Sequence, residues 1–207
     1  MRTVVVTAFF LAVTTSLSAQ DRKYVMWYSP SKATDVYGVM LNFFPREVGD
    51  FPDYSVYGVE LDLNPLGLFT SMLMVFEALD PELHQPDGTV EGLEKYPPAY
   101  VKKIYGLQVG TMYAAGESII YGLDISLWSF ESTVNGASIS GVMNKQYIVN
   151  GLTVATLGNH NISCHGVQIG LINTCSDLQG VQFGLWNVNQ RRKLPLINWN
   201  FKRTVKK

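Results

Sequence analysis

Charged side chains are scarce in this chain. They make up 16% of its 207 residues, against the roughly 25% that is usual in globular proteins. The formal net charge is only −1, so we expect no basic surface of the kind that binds nucleic acid. Apolar residues reach 47%, yet no apolar run after the N-terminal segment is long enough for a transmembrane helix. The composition therefore indicates an apolar-rich globular chain with enough residues for one domain.

Recognisable catalytic patterns are also absent. Ser, His and Asp occur without the G-x-S-x-G arrangement of a nucleophile elbow, and no phosphate-binding loop is present. His160, Cys164 and His165 lie close together, but their spacing matches no common zinc pattern and no fourth ligand is evident. We therefore expect no enzymatic activity, no catalytic residue, no metal and no cofactor.

The first 19 residues are interpreted as a secretory signal peptide. Arg2 supplies the positive start, residues 4–13 form a short apolar run, and small residues precede Gln20. We predict cleavage between Ala19 and Gln20, which leaves a single exported domain over residues 20–207.

The chain contains one pattern in eight copies. "GVQIGLIN" (166–173) and "GVQFGLWN" (180–187) are two of them, and from Gly106 onward the glycine that anchors each copy recurs every 14 to 16 residues. A longer interval separates Gly58 from Gly106. The eight anchoring glycines are Gly38, Gly58, Gly106, Gly122, Gly136, Gly151, Gly166 and Gly180.

Alternating apolar and polar residues in each copy predict a β-strand of about ten residues, which leaves about four residues for a hairpin turn. Transmembrane barrels use strands of this length, with apolar residues outside, polar residues inside and aromatic girdles. We therefore expect an all-β fold, an antiparallel outer-membrane barrel of about ten strands, with end strands near 24–28 and 195–201. The predicted inward residues are Glu60, Gln108, Asp124, Ser138, Thr153, Gln168 and Gln182, and the predicted girdle is Tyr37, Tyr57, Tyr105 and Tyr121.

A parallel β-solenoid with coils of 14–15 residues is the alternative. Identical copies in phase are its usual signature. Gly and Asn would then occupy corners where a positive φ is tolerated, and Val, Ile and Leu would point inward. This fold also accounts for the apolar residue or Cys that stands two positions before each anchoring glycine. The export signal, the length of the alternation and the closing aromatic strand at 195–201 favour the barrel.

The repeats quoted above, together with "VYGVMLN" (36–42) and "LPLINWNF" (194–201), resemble a family of secreted bacterial surface-repeat proteins. The resemblance is strong over 104–201, weaker over 20–64 and absent over 65–103. It implies an exported protein at the outer membrane or cell surface of a Gram-negative bacterium, with the membrane as partner. The function of that family is not established, so the resemblance supplies no catalytic residue and no protein or glycan ligand. The alternative function is a soluble secreted solenoid that serves as a binding or adhesive surface.

Residues 65–103 interrupt the repeats and are interpreted as a tolerated insertion. The apolar spacing over 67–79 predicts an amphipathic helix, with an extra strand as the alternative. Residues 80–100, rich in Pro, Gly and acidic residues, predict an exposed loop.

The basic residues 191–193 and 202–207 are interpreted as a solvated turn and tail, and contact with the phosphates of a membrane surface is the alternative. Trp128, Trp186 and Trp199 are interpreted as packing or interfacial aromatics rather than as sugar-binding residues.

Cys164 and Cys175 are the only cysteines. In the barrel they would lie at opposite ends of one strand, with Cα atoms roughly 30 Å apart at about 3.3 Å per residue, too far for a disulfide. In the solenoid the chain would return to within one coil spacing, and a bridge would be feasible. Because the barrel is favoured, we predict free cysteines.

Overall fold

The computed structural model describes residues 22–29, 34–43, 53–63, 65, 101–112 and 117–202. The predicted signal peptide, the predicted helix over 67–79 and the predicted loop over 80–100 lie outside the described residues. Within them the chain forms a single sheet of nine strands in chain order. The strands are β1 (Arg22–Ser29), β2 (Asp35–Asn42), β3 (Tyr54–Asp62), β4 (Val101–Met112), β5 (Glu117–Ser129), β6 (Thr133–Ala155), β7 (Gly158–Ile169), β8 (Ile172–Val188) and β9 (Lys193–Asn200).

Parallel, in-register pairing joins each strand from β1 to β7 to the next one along the chain. Gly151 of β6 pairs with Gly166 of β7, which in turn pairs with Gly180 of β8. The copies therefore stack as the coils of a parallel β-solenoid of about seven turns. β6 is long because it runs around a corner and contains two copies, anchored on Gly136 and Gly151.

The predicted antiparallel barrel of about ten strands is wrong, and the solenoid that was its alternative is confirmed. Alternation of side chains is the same in both folds, and four residues suit a coil corner as well as a hairpin. The two folds differ in the direction and register of successive copies. Successive copies joined by hairpins run in opposite directions, whereas parallel coils place each residue over its counterpart.

Both predicted end strands exist. Residues 24–28 lie within β1, and residues 195–200 lie within β9. β9 folds back antiparallel on β8, with an irregularity between Gly184 and Asn187. The closing aromatic strand therefore covers the last coil instead of completing a barrel.

The residue two positions before each anchoring glycine is fully buried, as the solenoid interpretation expected. This inner row is apolar, and its members in β2 to β5 pack with Met40 and Tyr54 in one core cluster. The row consists of Val36, Val56, Ile104, Ile120, Val134, Val149, Cys164 and Leu178.

A second inner row, two positions after each glycine, is polar except at Met40. The seven residues predicted to line a barrel lumen, from Glu60 to Gln182, are at most 2% exposed and lie inside the coils. The direction of these side chains was predicted correctly, but they face a closed interior. Placing the Val, Ile and Leu residues of the copies inward, as the solenoid alternative did, is wrong, because the residues one and three positions after the glycine point outward.

An asparagine ladder runs through the interior of the C-terminal coils. Asn144 donates an Nδ2 hydrogen to Oδ1 of Asn159 at 2.8 Å, Asn159 to Asn173 at 2.7 Å, and Asn173 to Asn187 at 2.8 Å. Asn159 also donates to the carbonyl oxygen of Ile169 at 2.9 Å. Each amide thus satisfies its neighbour and a strand backbone group, which removes the cost of burying it.

Candidate functional site

The anchoring glycines fix which residues point out of the coils. All eight have φ between 129° and 158°, a range that residues with a side chain rarely adopt. A Cβ built on Gly166 would overlap the carbonyl oxygen of Gly151 in the neighbouring coil. The row of glycines therefore bends every strand at the same place. In β1 the corresponding residue is Val25, which pairs with Gly38, has a φ of 76° and is 80% exposed.

An uninterrupted apolar face covers the outside of the sheet. It consists of two outward rows, and Ile169 and Phe183 in its outer row are 41% and 42% exposed. Over about seven strand spacings of about 4.8 Å, the face is about 34 Å long. The row one position after the glycines is Val39, Val59, Leu107, Leu123, Ala137, Leu152, Val167 and Val181; the row three positions after them is Leu41, Leu61, Val109, Ile125, Ile139, Val154, Ile169 and Phe183.

β9 continues this apolar face. In the antiparallel pair of β8 and β9, Val181 lies opposite Trp199 and Phe183 lies opposite Ile197. Residues directly opposite each other in a sheet project from the same side. Trp199 and Ile197, 45% and 47% exposed, therefore extend the two apolar rows, and both residues are counted as part of the apolar face.

A tyrosine stack borders the apolar face in the N-terminal coils, one position before the glycines. Neighbouring ring centroids lie 4.8 to 5.3 Å apart and their planes are within 16° of parallel. Because the rings cover one another's faces, they present mainly their edges to the outside. The predicted girdle residues therefore do share the outward side. The stack comprises Tyr24, Tyr37, Tyr57, Tyr105 and Tyr121.

Polar side chains continue this border in the C-terminal coils. Asn150 donates to Oδ1 of Asn135 at 2.8 Å, and Nδ1 of His165 lies 3.2 Å from Oδ1 of Asn150. The apolar face is thus edged by aromatic rings at one end and by amides and an imidazole at the other.

A basic cleft of about 270 Å³ opens at the C-terminal end of the apolar face. Its lining includes three cationic side chains, two aromatic rings and no carboxylate. The guanidinium carbon of Arg192 lies 4.3 Å from the centroid of the Trp199 ring, and Nε of Arg192 donates to Oδ1 of Asn198 at 3.0 Å. The cleft is lined by Arg191, Arg192, Trp199, Asn200, Phe201 and Lys202.

Sequence reasoning missed this cleft, because residues 191–193 and the basic residues from 202 onward were interpreted as a solvated turn and tail. The cleft exists only because β9 folds back and brings Arg192 against Trp199. The alternation of Trp199 and Phe201 in the strand that follows a basic turn was the available signal.

A charged cluster is enclosed in the N-terminal coils. Nζ of Lys102 lies 3.6 Å from Oε2 of Glu60 and donates to Oε1 of Gln108 at 3.0 Å, and Gln108 donates to Oε1 of Glu131 at 2.8 Å. Burial raises the pKa of Glu131 to about 7, against the opposing effect of the Lys102 charge. Burial also raises the pKa of Asp124. These groups lie inside the coils, so we assign them to stability and not to substrate chemistry.

The three residues considered as a metal site, His160, Cys164 and His165, lie in different environments. His160 is buried, with Nδ1 2.7 Å from Oγ1 of Thr174, whereas His165 is exposed. Cys164 belongs to the inner row. In the part of the chain that the structure describes, no three His, Cys, Asp or Glu side chains come together to hold a metal ion.

Cys164 and Cys175 are buried in one cluster with Val149 and Leu178, and both are free. The Cys175 thiol donates to the carbonyl oxygen of Ile162 at 3.6 Å, and burial raises the pKa of that thiol well above its usual value. The prediction of free cysteines agrees with this, but its reason was wrong. The coil brings the two residues together instead of separating them along a strand.

No helix among the described residues is both long and apolar enough to cross a membrane. Comparison of the chain with protein-family models, with curated proteins and with solved structures finds no significant match. The resemblance to surface-repeat proteins therefore stays a prediction, and functional inference depends on the apolar face, its border and the basic cleft.

Proposed function

We propose that this protein is an exported, non-enzymatic binding module whose apolar face is its binding surface. The observation that carries the proposal is the apolar face itself, which holds no charged residue in any of its coils. Contiguous apolar patches of more than a few hundred Å² are uncommon on monomeric proteins and mark sites of interaction.

Folding alone does not require apolar residues on this side of the sheet. The inner rows and the asparagine ladder already hold the coils together, and a sheet with one solvated face usually alternates apolar inside with polar outside. Here the order is reversed over much of each strand, since Gln168 is buried while Ile169 is 41% exposed. Contact with an apolar partner accounts for that reversal.

Two further features support the proposal. The titratable cluster around Glu131 is enclosed, and the basic cleft pairs cations with aromatic rings instead of a nucleophile with a base. Export to the outer membrane or cell surface of a Gram-negative bacterium remains part of the proposal, supported by the N-terminal 19 residues and by the family resemblance.

The proposal is tested by making the apolar face polar without changing strand propensity. Ile125→Thr, Ile139→Thr and Ile169→Thr are combined, because Thr is β-branched and suits an exposed strand position. Adsorption to polystyrene beads, with hydrophilic silica beads as reference, is expected to fall at least about tenfold, since three exposed apolar side chains are lost. Circular dichroism and thermal unfolding establish that the triple variant folds. If it does not fold, the adsorption of Ile169→Thr alone is measured.

Tyr147→Thr is the matched control, since Tyr147 is exposed but lies outside the apolar face. We expect it to adsorb like the parent chain. Full retention of adsorption by the folded Thr variants would show that the apolar face is not the binding surface.

A further inference from the structure

We propose that the apolar face and the basic cleft together dock on the surface of an anionic phospholipid bilayer. This inference rests on the proposed function and names its partner. The apolar rows face the acyl-chain boundary, the cleft receives a headgroup phosphate, and the solenoid lies along the membrane surface without crossing it.

The first argument is continuity. Trp199 belongs both to the apolar face and to the lining of the cleft, so the cations adjoin the end of the apolar rows. Arg192 is held there by its stacking on Trp199 and its hydrogen bond to Asn198. An apolar surface that ends in fixed and exposed cations suits a partner with an apolar interior and an anionic boundary.

Charge complementarity separates a bilayer from a second copy of this chain. A second copy has the apolar area to cover the face, but its own apolar face offers no carboxylate to the three cations. Phosphate groups of an anionic bilayer supply the missing negative charge, at about 1 kcal/mol per basic residue close to the surface.

The border of the apolar face has the chemistry of a membrane interface. The tyrosine stack presents ring edges along one side, and Trp186 and Phe201, 46% and 71% exposed, lie near the C-terminal end. Aromatic side chains with an apolar body and a polar tip concentrate where acyl chains meet headgroups. Binding to that region grows with buried apolar area and with attraction to anionic lipids, and this surface offers both.

The test is co-sedimentation of residues 20–207 with vesicles of phosphatidylcholine alone and with 30 mol% phosphatidylglycerol. The parent chain is expected to bind the anionic vesicles at least about tenfold more tightly. Arg191→Gln with Lys202→Gln is expected to abolish that preference while leaving weak binding to both vesicles. The triple Ile→Thr variant is expected to bind neither. Arg192 is left in place because it also holds the β9 backbone.

Lys103→Gln with Lys145→Gln is the charge-matched control, because both lysines are exposed and lie outside the cleft. Equal binding to neutral and anionic vesicles, or equal loss in the control, overturns the inference. Binding of inorganic phosphate at 10 mM by a parent chain that does not bind vesicles also overturns the inference, in favour of a small anion.

Two outcomes distinguish this inference from the proposed function. The triple variant can lose polystyrene adsorption while the parent chain binds no vesicles. This result would contradict the lipid inference and would still support the apolar face as the binding surface. A parent chain that sediments as a dimer and becomes monomeric on the triple substitution, without binding vesicles, assigns the face to a second copy instead.

Discussion

The N-terminal coils, from β1 to β5, and the C-terminal coils, from β6 to β8, share one backbone geometry but are joined by different side chains. In the N-terminal coils the tyrosine stack joins neighbours on the outside, while the interior holds an apolar cluster and the buried Lys102 and Glu60. In the C-terminal coils the asparagine ladder joins neighbours on the inside. Parallel, in-register stacking makes either solution possible, because each side chain meets its counterpart in the next coil.

The difference shows that the glycine row sets the geometry and that the side-chain rows are interchangeable. Rings stabilise the stack by covering one another's faces, and amides by exchanging hydrogen bonds. Only the glycine position admits no substitute within β2 to β8. The two halves are therefore expected to respond alike to a change in the glycine row and differently to changes elsewhere.

The largest expected effect is common to both halves. Gly166→Ala places a Cβ against the carbonyl oxygen of Gly151, and Gly106→Ala does the same against Gly58. Neither clash can be relieved by a side-chain rotation, so each substitution is expected to cost about 4 kcal/mol or more of unfolding free energy. Urea unfolding and protease protection measure the loss.

Gly141→Ala is the control, because its Cβ would meet the flexible end of the Leu127 side chain at 3.0 Å. We expect a much smaller loss there. A Gly166→Ala protein as stable as Gly141→Ala would contradict the role given to the glycine row.

A pH effect is expected to separate the two halves. Folding raises the pKa of Glu131 from 4.5 to about 7, so the folded state holds that proton more tightly than the unfolded chain. The contribution of Glu131 to the free energy of unfolding is therefore greatest below pH 4.5 and falls as the pH rises through about 7, by at most about 3 kcal/mol. Hydrogen exchange at pH 5 and pH 8 should show increased opening in β3 to β5 and little change in β7 and β8.

Glu131→Gln keeps the oxygen that accepts from Gln108 and removes the titrating group. We expect this variant to lose most of the pH dependence and to be more stable than the parent at pH 8. Burial also raises the pKa of Asp124, and this group supplies the remaining pH dependence of the unfolding free energy. An unchanged slope in the Gln variant would assign the pH dependence to other groups.

The asparagine ladder is expected to matter only inside the coils. Asn159→Ala removes three buried hydrogen bonds, one from Nδ2 of Asn144, one to Oδ1 of Asn173 and one to the carbonyl oxygen of Ile169, at a cost of about 2 kcal/mol or more. Asn150→Ala removes a hydrogen bond of similar length to Asn135 on the exposed border, where water replaces it. Its cost is expected below about 0.5 kcal/mol. Equal losses in chemical unfolding would remove the distinction between inside and outside.

The smallest expected effect is in the tyrosine stack. Tyr105→Ala interrupts the stack between Tyr57 and Tyr121, at about 1 kcal/mol for lost ring contacts. Tyr147→Ala removes an exposed tyrosine outside the stack and is expected to cost less. Thermal unfolding of the two variants side by side measures the difference. A loss as large as that of Asn159→Ala would mean that the outer row is a main source of coil cohesion.

Strand positions and the direction of the inner polar residues could be predicted from the sequence, because alternation fixes them in any sheet. Alternation does not distinguish parallel from antiparallel strands, and the wrong choice of a barrel followed from this. The in-phase recurrence of Gly151, Gly166 and Gly180 carried the missing information, since identical residues pair only in parallel coils.

The basic cleft could not be predicted in the same way. It depends on the reversal of β9, which brings Arg192 over Trp199, and no repeat in the chain encodes that reversal. The enclosed cluster was anticipated only in part. Glu60, Gln108 and Asp124 follow the repeat, whereas Lys102 and Glu131 lie outside it, and their approach depends on how the coil closes.

Val25 in the glycine row of β1 bears on whether molecules can join end to end. A Cβ built on Gly38 would overlap the carbonyl oxygen of Val25 in the neighbouring strand. A strand that continued the coils beyond β1 in register would bring its own carbonyl group to the corresponding place next to β1, where a side chain on the glycine row would point. Val25 carries such a side chain, in a conformation that a β-branched residue seldom adopts. Open sheet edges are templates for polymerisation unless they are blocked. Among the described residues, Val25 at one end of the sheet and the reversed β9 at the other therefore oppose growth of this repetitive chain into a filament.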